Sequence, residues 1–327
     1  MEMDSDREQK LVAWLDENSY EKTSLVNLSG DASFRKYYRV KKNELSYVVM
    51  DCPPDKENLN SFISVTKKLH EAKVNVPKLF ECHHENGFLV LSDLGDDLYS
   101  RKLDSETVYC LYTDALETIV KMQISVDCSD LESFDELYQE ENNLFIDWFL
   151  GNHLEINKDD GYLDPINTEF NRLNVLLKDI PQTFVHRDFH SRNLLVTDTN
   201  NPGVIDYQDA VIGPITYDLV SLLKDCYVTW DDGLIEDMLE SFFTRIKSNN
   251  INNISDFRYW FDMTGLQRHI KAIGIFSRLN YRDNKDNYLQ DIPRTYSYIE
   301  KTLKKYKDLT NLNEIFSDLN LHEKISK

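Results

Sequence analysis

The sequence predicts an α+β protein in which a small N-terminal lobe, built on an antiparallel sheet, precedes a larger and mainly helical lobe. Residues 33–40 and 47–50 carry β-forming side chains on either side of the polar turn 41–44, which is typical of a hairpin. Beyond the first lobe, the apolar spacing changes to the period of long helices. We therefore predict a small sheet lobe over residues 1–94 and a larger, mainly helical lobe over residues 95–327.

Shorter patterns define the elements of the two lobes. Residues 58–72 place apolar side chains on one helical face, and residues 78–82 and 88–92 form a strand pair around a glycine turn. A β-rich island, 183–206, interrupts the second lobe. Residues from Leu309 onward are weakly patterned, and we expect them to be loosely held. The helices predicted in the second lobe cover 105–123, 135–153, 166–179, 233–248, 257–280 and 288–306.

Composition and charge exclude several classes of protein. The 327 residues include 37 Lys and Arg against 57 Asp and Glu, a formal net charge of −20, so we expect no nucleic-acid partner. No apolar run approaches the roughly 18 residues that cross a bilayer, and the acidic N-terminus lacks the pattern of a secretory signal. The five cysteines are scattered without a C-x-x-C pair. We expect a cytoplasmic protein without membrane contact; the sequence makes no prediction of oligomeric state.

The β-rich island contains the residues that point to chemistry. A strand, a polar loop, a second strand, a turn and a third strand follow one another, so that Asp188 and Asn193 bracket the loop and Asp206 ends the last strand. Phosphoryl transfer needs such a set, because one carboxylate takes the proton of the attacking hydroxyl while an amide oxygen and a second carboxylate hold Mg²⁺ against the nucleotide. The alternative is a hairpin with solvated acids.

Longer strings resemble a known family. The loop HRDFHSRN, the dipeptide ID and the string GPITYDL resemble the aminoglycoside phosphotransferase and choline kinase superfamily, which shares the bilobal protein-kinase fold. The strings LSGDASFRKY, VMDCPP, LSDLG, LQRH and YRD are similar to those of the bacterial anomeric sugar kinases. These enzymes phosphorylate N-acetylmuramate and N-acetylglucosamine at the 1-position in cell-wall recycling. The resemblance covers about residues 10–305, and it implies an ATP- and Mg²⁺-dependent kinase.

The resemblance implies a role for each matching residue of the catalytic motif. Asp188 resembles the catalytic base, and Asn193 and Asp206 resemble the magnesium ligands. His186 resembles the residue that braces the loop, and Asp218 the structural acid of the family's third motif. We expect all five to belong to one site.

The resemblance implies that residues 1–94 are the nucleotide-binding lobe and residues 95–327 the catalytic and acceptor-binding lobe. The resemblance implies that a turn containing Gly30, Ala32 and Ser33 lies over the triphosphate, where small residues let backbone N–H groups approach phosphate. A hinge that includes Ser92 and Leu94 would present backbone groups to adenine.

One departure from protein kinases concerns the phosphate-binding cation. The strand 47–51 lacks their lysine, and the helical acid that pairs with it is unassigned. Arg35 or Lys36 is the candidate replacement, with a solvated charge as the alternative.

The acceptor is expected to be small. Only six residues separate Asp206 from Gly213, too few for the activation segment with which protein kinases dock a polypeptide. Trp148 and His269 are candidates for sugar contact. Arg268 or Arg282 is the candidate for binding the lactyl carboxylate of N-acetylmuramate, since an arginine fork matches a carboxylate. On the predicted helix 257–280, Arg268 and His269 lie off the apolar stripe and are expected to face a cleft.

Two other functions stay open from the sequence. An aminoglycoside or amino-alcohol phosphotransferase would keep the fold and change the acceptor, and an acidic cleft would attract such cations. A non-catalytic pseudokinase is favoured only by the missing strand lysine. Retention of Asp188, Asn193 and Asp206 argues against it.

Overall fold

A five-stranded antiparallel sheet dominates the N-terminal part of the chain. The structure, a computed structural model, describes residues 5–28, 34–157, 161–247 and 251–325. The strands follow the order β1-β2-β3-β5-β4 across the sheet, and a helix follows β3. These elements are α1 (Ser5–Glu17), β1 (Glu21–Leu28), β2 (Lys36–Lys42), β3 (Leu45–Asp51), α2 (Leu59–Glu71), β4 (Leu79–His83) and β5 (Phe88–Ser92).

The β2–β3 hairpin explains why this sheet forms where the sequence predicts it. Lys42 pairs with Leu45, so Asn43 and Glu44 make a two-residue loop, and both have positive φ, 50° and 64°. Such loops match the right-handed twist of the strands they join. The inward side chains of the sheet pack with those of α1 into one core. This core contains Leu11, Trp14, Leu15, Tyr20, Tyr38, Val40, Val49, Phe88 and Val90.

The remaining elements are mainly helical. Strand β6 pairs antiparallel with β9, and β7 pairs with β8. The elements in chain order are α3 (Tyr99–Lys102), α4 (Val108–Ser125), α5 (Tyr138–Leu144), α6 (Leu163–Asp179), β6 (Gln182–Val185), β7 (Leu194–Leu195), β8 (Gly203–Val204), β9 (Val211–Pro214), α7 (Tyr217–Leu223), α8 (Asp232–Ile246), α9 (Ile254–Asp283), α10 (Ile292–Lys305), α11 (Thr310–Asp318) and α12 (Leu321–Ile325). A π-helical segment, Phe145–His153, continues α5, and 3₁₀ turns cover Phe134–Glu136, Asp286–Asp291 and Lys307–Leu309.

The chain divides into two compact units. The first comprises Met1–Asp97 together with Leu195–Asp209, and the second comprises Leu98–Leu194 together with Ala210–Lys327. The predicted boundary after residue 94 lies close to the first division, but the assignment of one lobe to nucleotide and the other to acceptor stays a prediction.

The α+β class with an N-terminal antiparallel sheet is confirmed, whereas several local predictions need correction. The sequence does not predict helix α1 or strand β1, because their many polar side chains obscure the regular spacing of the apolar ones. The predicted helix 135–153 is three segments: the end of the 3₁₀ turn Phe134–Glu136, helix α5 and the π-helical segment. The expectation of a loose C-terminal segment from Leu309 is wrong, because α11 and α12 bury Leu312 and Leu321. Over the described residues, no helix has the length and apolar character required to cross a bilayer.

Helix α9 is the central helix of the second unit. It is 30 residues long and buries side chains on every side, so it contacts neighbours all round. Gly274 on this helix lies against the start of the π-helical segment, where an added Cβ would come within 2.5 Å of the Leu144 carbonyl carbon and the Phe145 nitrogen. Because those are backbone atoms, only glycine permits this approach.

We predict opposite effects from two glycine substitutions on α9. Gly274→Ala forces the helix away from its neighbour and should lower the free energy of unfolding by about 1–3 kcal/mol. Gly265→Ala meets nothing closer than 3.6 Å, and it should raise that free energy by up to about 1 kcal/mol through better helix propensity. Urea unfolding of both variants measures the difference. Equal stabilities would contradict the packing described.

Candidate active site

The loop between β6 and β7 is anchored by one buried acid. The β6–β9 pair brings the start of α7 beneath this loop, and Asp218 in the first turn of α7 is 1% exposed. Its carboxylate accepts the backbone N–H of His186 at 2.8 Å and of Arg187 at 3.1 Å. Burial raises the pKa of Asp218 to about 7, against the lowering effect of these two N–H groups. The contacts hold the first residues of the loop in place.

Asp188 presents a carboxylate that no side chain of the described segments hydrogen-bonds. Its backbone, by contrast, is held at both ends: the N–H lies 3.3 Å from Nδ1 of His186, and the C=O accepts the backbone N–H of His190 and Nδ2 of Asn193, both at 3.0 Å. The residue is partly exposed. A fixed backbone with an unbonded carboxylate suits a group that must orient an incoming hydroxyl and accept its proton.

A buried ion network surrounds the loop on the side of α9. Glu141, only 4% exposed, accepts Nη2 of Arg187 at 2.8 Å and Nε2 of Gln267 at 2.8 Å, and Nζ of Lys271 lies 3.2 Å from it. Burial of Asp188 raises its pKa, but the positive charges near it, above all Lys271, outweigh this effect and hold the pKa well below its usual range. Asp188 is therefore ionised at neutral pH.

Neither Glu141 nor Lys271 is among the site residues that the sequence predicts. A charged residue within an apolar helical stretch is the available signal, since lysine is rarely buried without an ionic partner.

Asp206, in the first unit, has a backbone conformation that aspartate seldom adopts. Its φ is 65°, in the left-handed region. Nε2 of Gln208 donates to its carboxylate at 2.9 Å, and the C=O of Gln208 accepts the Ser61 hydroxyl of α2 at 2.8 Å. Tyr207, between them, stacks on Phe62 with centroids 5.2 Å apart. Packing against α2 thus holds the segment that presents this acid.

Asn193 and Asp206 carry the kind of oxygen ligands that magnesium prefers. Because Nδ2 of Asn193 is engaged by the Asp188 carbonyl, the amide oxygen is directed to the opposite side. Mg²⁺ takes oxygen ligands, with few from protein and the rest from phosphates and water. Within the described ranges, no group of three His, Cys, Asp or Glu could hold a metal ion. Each residue thus offers an oxygen of the kind that a nucleotide-bound magnesium takes; that both hold one ion stays a prediction.

The first unit supplies a buried cation. Arg35, just before β2, is 8% exposed, and its Nη2 lies 2.7 Å from Oε2 of Glu57, just before α2. The sequence predicts Arg35 or Lys36 as the phosphate-binding cation and assigns no acidic partner; that either cation binds phosphate stays a prediction. The predicted phosphate-turn residues Gly30, Ala32 and Ser33 lie outside the described residues.

The predicted adenine hinge is a well-bonded segment. Ser92 exchanges hydrogen bonds with Lys78, whose N–H it accepts at 2.8 Å and to whose C=O it donates at 2.8 Å. Asp93 accepts Nε of Arg39 at 2.6 Å. Leu94 lies against Gly203, at which an added Cβ would be 3.0 Å from its Cδ1. The contact with adenine stays a prediction.

The predicted acceptor residues have different environments. Trp148 is partly buried in the π-helical segment, and Arg282 is exposed and paired with Asp283 at 2.8 Å. Arg268 is 5% exposed and donates to the Ser221 hydroxyl at 2.6 Å, while His269, 1% exposed, bonds the Lys224 carbonyl at 2.9 Å.

The expectation that Arg268 and His269 lie off the buried face is therefore wrong, because α9 is buried on all sides. Burial lowers the pKa of His269 to about 3, so its imidazole is neutral. Substrate binding by these residues stays a prediction.

Comparisons with known proteins agree with this architecture. The fold is that of the choline kinase from Streptococcus pneumoniae (TM-score 0.64, 13% identity, 91% of this chain and 99% of that one) and of an ADP-bound aminoglycoside phosphotransferase (0.61, 16%, 92% and 99%). Residues 24–247 match the model of the phosphotransferase enzyme family, and the chain belongs to that family. It is also 36% identical to the N-acetylmuramate/N-acetylglucosamine kinase of Pseudomonas putida, over 96% of both chains.

We predict that Lys271 sets the acidic limit of activity. Removing its charge in Lys271→Met raises the pKa of Asp188, so the carboxylate takes up a proton at a higher pH than in the wild type. The acidic limb of kcat against pH should therefore move to higher pH.

Lys224→Met is the matched control, because Lys224 is also buried and pairs with Asp262 at 2.7 Å. Its acidic limb should stay at the wild-type position. A limb that moves in both variants, or in neither, would contradict the role given to Lys271.

Proposed function

We propose that the protein is an ATP- and Mg²⁺-dependent kinase that phosphorylates the anomeric 1-hydroxyl of N-acetylmuramate and N-acetylglucosamine, in cytoplasmic cell-wall recycling. The observation that carries the phosphotransferase chemistry is the unbonded, ionised carboxylate of Asp188 on a loop with a fixed backbone. The choice of acceptor is supported by similarity over nearly the whole length to a kinase of that name.

Each residue then has a defined task. Asp188 accepts the proton of the anomeric hydroxyl as the oxygen forms a bond to the γ-phosphorus, and the bond from that phosphorus to the ADP oxygen breaks. Asn193 and Asp206 would hold Mg²⁺, which would supply positive charge to neutralise the phosphates. Arg35, kept in place by Glu57, takes the part of the missing strand lysine. His186 and Asp218 position the loop through its backbone.

A small acceptor also fits the segment after Asp206. Strand β9 begins at Val211 and pairs with β6 at once. This short connection leaves no chain for docking a polypeptide.

We predict a large and selective loss of turnover in Asp188→Asn. The amide cannot accept the proton, so kcat should fall by about 10²–10⁴-fold, whereas ATP affinity should change little. ADP release is measured with and without Mg²⁺ on a panel of N-acetylmuramate, N-acetylglucosamine, kanamycin and choline. Wild-type turnover in this variant would show that Asp188 is not the catalytic base.

The panel also separates the alternatives. If only kanamycin or choline is phosphorylated, the protein is an aminoglycoside or amino-alcohol phosphotransferase and not a sugar kinase. Bound ATP without turnover on any acceptor would favour a pseudokinase.

We predict that Arg35→Ala raises the KM for ATP about 10-fold, since a hydrogen bond to a charged group is worth about 1.5–3 kcal/mol. Arg7→Ala is the matched control, because Arg7 is another arginine of the first unit paired with an acid, Asp51. Its KM for ATP should equal that of the wild type. An unchanged KM for ATP in Arg35→Ala would show that Arg35 does not replace the strand lysine as the phosphate-binding cation.

A further inference from the structure

A cluster of two arginines, an acid and two rings adjoins the loop of Asp188 in the second unit. We call it the Arg192 cluster, and it consists of His190, Arg192, Tyr227, Asp291 and Arg294. The guanidinium carbon of Arg192 lies 3.6 Å from the centroid of the Tyr227 ring, which fixes the plane of the guanidinium by stacking. Across the described segments, Arg192 makes no hydrogen bond, and 34% of its side chain is exposed. Its five N–H donors are thus held in one orientation and available.

Arg294 is fixed at one end and open at the other. Its Nη1 donates to the Cys226 carbonyl at 2.8 Å and to Oδ1 of Asp291 at 3.1 Å. These bonds leave the N–H groups of Nε and Nη2 for another partner, and 36% of the side chain is exposed. Both arginines therefore combine a fixed position with contact to solvent.

Asp291 carries a buried oxygen whose hydrogen-bonding capacity is not used. Its side chain is 8% exposed, and Oδ2 accepts no hydrogen bond from any described residue; the nearest cation, Nη2 of Arg192, is 4.0 Å away. Nδ1 of His190 is likewise buried without a partner, and the edge of this ring contacts Tyr227. Buried polar atoms are nearly always paired, so the unpaired Oδ2 of Asp291, next to Arg192, and Nδ1 of His190, next to Tyr227, are available to a ligand.

The cluster is tied to the loop that carries Asp188. Asp225, 1% exposed, accepts the backbone N–H of Ser191 at 2.9 Å and of Tyr227 at 2.8 Å. The loop and Tyr227 therefore share one anchor. His190 and Arg192 lie two and four residues beyond Asp188, so the cluster and the carboxylate of Asp188 belong to one anchored segment.

The charges of the cluster favour an anionic ligand. Arg192 and Arg294 supply two positive charges, and Asp291 is the acid that contacts them. Asp225, the other acid near the cluster, accepts two backbone N–H groups, so the cluster offers a ligand the remaining N–H donors of two guanidinium groups. Planar carboxylates suit such a site, because an arginine fork binds both oxygens.

We propose that the Arg192 cluster is the acceptor subsite, in which Arg192 and Arg294 bind the lactyl carboxylate of N-acetylmuramate and Oδ2 of Asp291 accepts a sugar hydroxyl. This inference rests on the proposed function. It replaces Arg268 and Arg282 as carboxylate ligands, since the first donates inside the protein and the second is paired with its neighbour Asp283.

Kinetics on the two amino sugars test the inference, because only one of them carries a carboxylate. In Arg192→Gln and Arg294→Gln, kcat/KM for N-acetylmuramate should fall about 10- to 100-fold through KM. The value for N-acetylglucosamine should stay within about twofold of the wild type, which also shows that the variant is folded. Arg294→Lys, which keeps the charge but not the fork, should recover part of the loss.

Arg245→Gln is the control, because Arg245 bonds only Ser241 on its own helix. It should behave as the wild type on both sugars. Asp291→Asn should weaken both sugars alike, since the hydroxyl that it binds is common to them.

Three outcomes would overturn the subsite. The first is an equal loss on both sugars in both arginine variants at an unchanged melting temperature, which would assign the arginines to the phosphates. The second is unchanged discrimination in both variants. The third is a wild-type enzyme that phosphorylates neither sugar, which would remove the proposed function as well. The first two leave that function intact.

Discussion

The buried carboxylate of Glu141 is the contact on which the second unit depends. It lies on α5 and joins Arg187 of the loop to Lys271 and Gln267 of α9, so three elements converge on one acid. A buried charge is costly unless it is paired and hydrogen-bonded, and here both oxygens have donors. Once formed, the network fixes the distance of the loop from α9. It also places positive charge near Asp188, so one interaction serves both the fold and the chemistry.

The loop between β6 and β7 separates its structural tasks from its chemical ones. Asp218 and Asp225 accept backbone N–H groups from its beginning and its end, and both acids are 1% exposed. The side chains of the loop are therefore not needed to anchor its backbone. The carboxylate of Asp188 and the guanidinium of Arg192 make no hydrogen bonds within the described parts of the chain. Anchoring the backbone from outside allows functional groups to stay unbonded without loosening the loop.

A structural feature can be predicted from the sequence when neighbouring residues in the chain determine it, and not when tertiary packing does. The β2–β3 hairpin and the loop of Asp188 are predictable, since turn chemistry and residue spacing act over few residues. Burial of Arg268 is not, because a single stripe describes a helix with one apolar face, and α9 has neighbours on all sides. The Arg192 cluster also escapes the sequence, because Arg192 and Asp291 meet only through tertiary packing.

The net charge explains why cations are concentrated at particular points. A protein with a charge of −20 repels ATP and any acidic sugar at long range. That repulsion is screened over roughly 8–10 Å at physiological ionic strength, so binding is decided by charges in contact with the ligand. A few well-placed cations therefore affect ligand binding more than the net charge does. They are Arg35 in one unit and Arg192 and Arg294 in the other. Glu57 orients Arg35 and Asp291 orients Arg294, whereas Arg192 is held by stacking on Tyr227.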